Sequence, residues 1–390
     1  MISVDEALDA VLNLVAPLKS EDVPLRAVNG RVLSRPVTAQ RNQPPFAASS
    51  MDGYALRRAE VEPDAMFKVV GEAAAGHGYA GTLRAGQAVR IFTGAPVPDG
   101  ADFVVIQEDV TRRGDLITLG HRIDKKDNIR PAGGDFRLGD ELTAPRRLRP
   151  ADVALLAAMN VASVPVTRKP IIAILATGDE LVQPGEDPGP DQIIASNSYG
   201  LAAMLEDAGA EVRMLPIARD TVASLKQAFA LAHGADLIVT IGGASVGDHD
   251  LIAPVAAELG MEQAFYKVAM RPGKPLMAGK IAGATMIGLP GNPVSAMVCG
   301  AIFVLPMLRR MLGLSNVHAP LHSAPLGREI GANGPRAHYM RANLRDGALY
   351  PDDQQDSSLL SVLAQADALM IRPPQDPARN AGEIQQYILI

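Results

Sequence analysis

The sequence predicts a multidomain α/β plus β protein. Its parts are a parallel-sheet α/β core domain, a β-rich inserted domain, a small split helical domain and a C-terminal β domain. Three observations lead there. From Lys169 to Leu312, continuous apolar runs alternate with helix-period runs, as in a parallel sheet covered on both faces. From about Leu25 to Leu142, short β-rich runs are cut by Gly and Pro turns. Two helix-period stretches bracket that block, which reads as an insertion. With 390 residues the chain also exceeds a single core. The expected domains are residues 1–24 plus 140–168 (split helical), 25–139 (inserted), 169–315 (α/β) and 316–390 (C-terminal).

In chain order, Ser3 and Glu6 make a capping-box pattern, and Leu8, Val11, Leu12 and Val15 recur at helical spacing. Runs at Phe67–Val70, Ala88–Phe92, Phe103–Gln107 and Leu116–Leu119 are the inserted strands. Pro150 opens a second helix, expected to pack on the first. Ile171–Ala176, Val212–Ile217, Leu237–Ile241 and Met286–Leu289 read as strands. The helices between and after them run over Tyr199–Ala208, Val222–Ala232, Leu251–Leu259 and Val294–Leu312. After Gly313 the helices stop, and Ala337–Asn343, Ala368–Ile371 and Tyr387–Ile390 read as β.

Composition narrows the function. A net charge of −6 argues against a nucleic-acid partner, and 4% aromatic content with no Trp argues against single-strand stacking platforms. One cysteine, Cys299, excludes an internal disulfide and fits a reducing compartment. The N-terminus carries Asp5, Glu6 and Asp9 and does not read as a secretory signal. The longest apolar tract, Ala296–Leu308, reads as too short for a bilayer and contains Pro306. The expectation is therefore a cytoplasmic protein with no membrane partner.

The motifs gather at strand ends. In an open parallel sheet, ligands bind outside the carboxyl ends of the strands. Three loops leave there: Thr177-Gly178-Asp179-Glu180-Leu181, Gly242 to Asp250, and Leu289-Pro290-Gly291-Asn292-Pro293. The second pairs glycines and small polar residues (Gly242, Gly243, Ser245, Gly247) with Asp248 and Asp250. Backbone N–H groups at such a turn attract anions, and carboxylates beside it hold a hard cation. Lys267, Arg271 and Lys274 supply cations, with Lys267 and Arg271 the best candidates for an oxyanion. In the insertion, Asp52, Thr93, Arg130 and Asp135 lie in Gly-rich polar stretches that look like a second half-site.

The motifs SSMDGYA, FTGAPVP, NIRPAGGD, TGDEL, GGASVGDHD, RPGKP and LPGNPVSA, in this order over nearly the whole chain, resemble the molybdenum insertase family, whose eukaryotic relative is the E domain of gephyrin. That resemblance implies an elongated homodimer of four-domain chains. It implies adenylylated molybdopterin and molybdate as substrates, a divalent cation such as Mg²⁺, and AMP and the molybdenum cofactor as products. The cleft would lie between the α/β domain of one subunit and the β-rich domain of the other. Asp52, Thr93, Arg130 and Asp135 would form the second-domain side. Glu180, Asp220, Asp250, Lys267, Arg271, Lys274, Pro290 and Pro293 would form the α/β side, with Glu180 and Asp250 on the metal. The motif leaves Asp248 as the alternative to Asp250. Ser357 and Ser358 resemble a family serine pair near the cleft, although the usual Ser-Gly after the Gln is missing. Arg271 replaces the Lys of many members, a planar fork in place of a point charge. A molybdopterin adenylyltransferase is the expected substrate-delivering partner. The competing readings are that adenylyltransferase itself, which shares the α/β loop motif on a shorter chain, and a gephyrin-like scaffold.

Overall fold

Ser3 starts the first helix, Val4–Asn13, as its pattern requires. Its Oγ accepts from the Glu6 N–H at 3.1 Å, and Glu6 Oε2 accepts the Ser3 N–H at 2.7 Å. The architecture comes from a computed structural model that describes residues 1–242 and 251–390. The buried stripe Val4, Ala7 and Val11 does not meet the second helix, as the sequence suggested. It packs into the α/β core, beside helix Leu305–Met311 and strand Glu262–Tyr266.

The split segment is correspondingly less helical than expected. It forms an antiparallel four-stranded sheet in the order Ser20–Pro24, Ser163–Thr167, Val32–Leu33, Arg146–Arg147. Helix Pro150–Ala158 covers this sheet, with Leu156 buried against Leu33, Val164 and Val166. Two of these strands are only two residues long and Ser20–Pro24 buries none of its residues, so the sequence carries little apolar signal for them. The insertion holds a six-stranded sheet ordered Phe103–Ile106, Gly53–Leu56, Gln87–Ile91, Met66–Ala73, Leu116–Leu119, Val110–Arg113. Alternation along Gly53–Leu56 sends Tyr54 and Leu56 into one core and Ala55 into another.

The α/β sheet runs Glu211–Met214, Ile171–Ala176, Leu237–Ile241, Ala284–Leu289, Met277–Ile281, Glu262–Tyr266. The first four strands are parallel, and the last two are antiparallel. The sheet is thus mixed, where a parallel one was expected. The missed hairpin turns at Ala282-Gly283, both with positive φ (47° and 84°), the twist that matches antiparallel strands. Ala is a poor signal for that geometry. All five residues of Leu237–Ile241 are buried, with Ile238 on one apolar cluster and Leu237, Val239 and Ile241 on the other.

At the base of this sheet Arg168 grips Asp236 with two N–H···O bonds (2.8 and 2.6 Å), and the Ile171 N–H adds a third at 2.8 Å. Burial works to raise the Asp236 pKa, but these donors outweigh it and hold the group below its usual value. Stability from a depressed carboxylate is present above its unfolded pKa and is lost as pH falls through the folded one. Asp236→Asn is expected to cost about 2 kcal/mol at pH 7, less than a fully buried pair because the site is part-exposed. The gap should close below about pH 4. Urea melts at pH 7 and pH 3 check it; an equal gap at both would exclude the ion pair as its source.

Among the described residues one helix, Pro293–Met311, is long and apolar enough to cross a bilayer by length and composition, longer than the tract suggested. It is a core element here: Val294, Ala296, Val298, Phe303, Met307 and Leu308 are buried. It widens into a π turn over Gly300–Val304 just before Pro306, which has no N–H to bond back. The C-terminal sheet is ordered Met270–Arg271, Ala337–Arg345, Ala368–Arg372, Ile384–Leu389, His322–Pro325, with Ala348–Pro351 paired to Ala337–Arg345. Its first strand comes from the α/β domain. A short helix, Leu360–Gln365, interrupts a region read from sequence as helix-free.

Candidate active site

The three motif loops leave adjacent parallel strands and touch. The Thr177 N–H donates to Ile241 O at 3.1 Å, and the Gly242 N–H donates to Leu289 O at 3.2 Å. Gly242 has φ +87°, and a Cβ on it would stand 2.9 Å from the Thr177 carbonyl oxygen. A Cβ on Gly291 would lie 3.6 Å from the Gly242 Cα. The described parts of the three loops therefore lie side by side at one strand-end crevice, and Gly242 is glycine for both space and backbone. Gly242→Ala is expected to lose about 1–3 kcal/mol of stability, read as a lower thermal midpoint, and to lower activity as well. An unchanged midpoint would contradict this packing.

Glu180 stands exposed at the crevice mouth, its carboxylate packed over Gly178 so closely that a Cβ there would collide with it. Asp220 lies just beyond Ala218, which bridges to Thr177 and whose carbonyl accepts the Gly178 N–H. Gly243, Ser245, Gly247, Asp248 and Asp250 lie outside the described residues. At the third loop Pro290 is buried, Gly291 O accepts from Asn197 Nδ2 at 2.7 Å, and Pro293 opens the long helix. Asn292 Nδ2 donates to Ser357 Oγ at 2.9 Å, and the Val294 N–H to Ser357 O at 3.0 Å. The C-terminal domain thus reaches the crevice through Ser357. Ser358 turns the other way, giving its N–H and O–H to Asp356 Oδ1 and holding that carboxyl below its usual range.

Lys267 and Lys274 lie at the two ends of a tight loop in which the Val268 N–H donates to Lys274 O at 3.0 Å. Lys267 adopts φ +71°, with Nζ 5.0 Å above the Tyr266 ring. Arg271 sits in the C-terminal sheet opposite His338.

In the insertion, Asp52 Oδ1 accepts both the N–H and the O–H of Thr93 at 2.8 Å, which holds its carboxyl below the usual range. Arg130 lies on a strand paired to Ala48, and the Asp135 N–H donates to Gln43 O at 2.9 Å. Arg90 stacks over Tyr54 and Phe92, at 5.1 and 4.6 Å from the ring centres. Among the described residues no hydrogen bond or ion pair joins this half-site to the α/β domain of the same chain.

Family models cover the chain in three blocks. They are the MoeA N-terminal region (domain I and II) over residues 2–160, a probable molybdopterin binding domain over 173–310, and the MoeA C-terminal region (domain IV) over 323–390. A molybdopterin molybdenumtransferase of Nostoc sp. is 35% identical, with 98% of this chain and 92% of the relative covered. That of Bacillus subtilis is 33% identical, with 100% and 94% covered. The molybdopterin biosynthesis moeA protein of Pyrococcus horikoshii superposes with a TM-score of 0.85 at 27% identity, covering 100% of both chains.

The chain belongs to the molybdopterin molybdenumtransferase family.

Within this molybdenumtransferase framework the structure adds residues that the motifs did not point to. Asn197, at the start of helix Asn197–Asp207, fixes the Gly291 carbonyl. Arg341 is wholly buried, and its Nη2 donates to Gln354 O at 2.8 Å. Its Nε and Nη1 have no partner among the described residues. Gln355 brackets the Arg341 backbone, accepting its N–H at 3.0 Å and donating to its carbonyl at 2.9 Å. An arginine inside an alternating strand reads from sequence as a solvated face, so nothing marked Arg341. Among the described residues no group of three His, Cys, Asp or Glu is placed to hold a metal.

Proposed function

We propose that this chain inserts molybdenum from molybdate into adenylylated molybdopterin with release of AMP, in a cleft completed by a second copy of itself. The observation that carries the reading is the convergence of three strand-end loops on one crevice, capped by Ser357 of the C-terminal domain. The adenylyltransferase alternative needs only the α/β domain and leaves the insertion and the C-terminal sheet without a task.

The chain's part is charge and position. Lys267 and Lys274 offer cations to phosphate. Arg341 has two unmatched N–H donors under the segment that carries Ser357, which suits a tetrahedral oxyanion. The dithiolene sulfurs belong to the substrate, so no cysteine is needed, and buried Cys299 is held as a thiol by desolvation. Mg²⁺ would sit as an ion shared with substrate phosphates, with Glu180 supplying a carboxylate at the mouth, because among the described residues no group of three His, Cys, Asp or Glu could hold it. Bound there, it would neutralise the pyrophosphate. Asp52, kept ionised by Thr93, would face this site from the other copy. We place the enzyme in the cytosol, and we assign substrate delivery to a molybdopterin adenylyltransferase.

The test is a purified assay with adenylylated molybdopterin and molybdate, following AMP and cofactor. AMP released only when molybdate is present supports the reading. Adenylylation of molybdopterin from ATP, with no molybdate dependence, would overturn it.

A further inference from the structure

In the inserted sheet, strand Gly53–Leu56 pairs on one side with Gln87–Ile91 and on the other with Phe103–Ile106. Asp52, Thr93 and Gln107 each lie just beyond one of these strands, and the register gathers them at one end of the sheet. Arg90 stands opposite Tyr54 there. Ala88 and Arg90 share one side of their strand, and Ala88 and Tyr54 belong to the same apolar core. An arginine therefore takes the last rung of an apolar face. Its half-buried guanidinium lies over the Tyr54 ring at 5.1 Å and the Phe92 ring at 4.6 Å, which fixes its plane.

The hydrogen bonds of this guanidinium close around Asp52. Nη1 donates to the Gly53 carbonyl at 3.1 Å, and Nη2 donates to Gln107 Oε1 at 2.7 Å. The Gln107 N–H in turn donates to the Asp52 carbonyl at 3.0 Å. Gln107 Nε2 donates to Glu108 Oε1 at 3.2 Å, which keeps Oε1 turned to Arg90. Gly53 has no room to shift, since a Cβ on it would stand 1.8 Å from the Val105 carbonyl oxygen. Thr93 occupies Asp52 Oδ1, and Oδ2 takes no hydrogen bond among the described residues. The two Thr93 bonds, and after them the Arg90 charge, favour the ionised carboxylate. Holding two acceptors at once needs a planar fork; an ammonium on a flexible stem cannot hold both in that plane.

We propose that Arg90 is a positioning residue for the reaction: it clamps three strand ends so that Asp52 Oδ2 and Thr93 meet the substrate in one geometry. This role rests on the placement of Asp52 at one wall of the cleft under the function proposed above. Arg90 acts through Asp52 and touches no substrate itself.

The test uses the full-length protein. Arg90→Lys, which keeps the charge and loses the fork, is expected to lower kcat with adenylylated molybdopterin and molybdate about tenfold or more. Arg90→Ala should do the same. Asp52→Ala combined with Arg90→Ala should be no slower than Asp52→Ala alone, because nothing is then left to position. A residue that serves only the fold would add its own loss. Should Arg90→Ala fail to fold, the double variant is made with Arg90→Lys. A crystal structure of Arg90→Lys needs no substrate and answers apart from the assay: the Asp52 carboxylate should stand about 1 Å or more from its wild-type place. Wild-type kcat in Arg90→Lys, losses that multiply in the double variant, or an unmoved Asp52–Thr93 pair each overturn the clamp. A wild type that releases no AMP with molybdate overturns the function proposed for the crevice instead, and the crystal structure then decides the clamp alone.

Discussion

Two dead enzymes are expected to make a live one. Asp52→Ala and Glu180→Ala should each lose activity by about a hundredfold or more, since each removes a charge from one wall of the cleft. Mixed under conditions that exchange subunits, they should recover about a quarter of wild-type activity. Half of the dimers are then mixed, and each mixed dimer carries one intact site of two. The expectation rests on the separation within one chain, where nothing described links the Asp52–Thr93 pair to the crevice beside Glu180. Activity assays on mixtures of the purified variants give the answer. No recovery, with subunit exchange demonstrated by mass, would place the whole site within one chain.

Arg341→Met is expected to raise the melting temperature while destroying activity. A fully buried guanidinium with two unmatched donors and no carboxylate in ion-pair contact is costly to the fold, and a methionine of similar length removes that cost. The gain should be about 1–3 kcal/mol, against a loss of about a hundredfold in turnover with molybdate. A strained or uncompensated group kept at a functional site has this signature of opposite signs. Destabilisation would mean that the guanidinium serves the fold. Unchanged turnover would mean that it does not serve catalysis.

What the sequence made legible followed from residues whose chemistry is local. Ser3 and Glu6 announced a helix start because both halves of the capping box are side chain to backbone bonds three residues apart. The apolar run at Leu237–Ile241 announced a buried strand, and the glycine after it announced a loop. The motif loops could be grouped because strand ends in a parallel sheet share an edge. What stayed hidden depended on partners far away in the chain. The helix Val4–Asn13 gives its apolar stripe but not the surface that receives it, and that surface lies some three hundred residues on. Arg341 and Asn197 look like ordinary polar positions until Gln354 and Gly291 are brought beside them. Arg271 read as one of three cations in a basic loop. Its parallel pairing with Ala337–Arg345 places it in the C-terminal sheet.

Because Met270–Arg271 forms the outer strand of the C-terminal sheet, the last seventy-odd residues do not make a detachable module. Cutting the chain after Gly313 leaves that loop without its neighbour and lays bare the buried Tyr339 and Leu369 contacts. The liberated fragment, in turn, carries a naked sheet edge at Ala337 and His338, the sort of surface that recruits other chains and precipitates. In this chain the terminal sheet therefore depends on the α/β unit for its first strand.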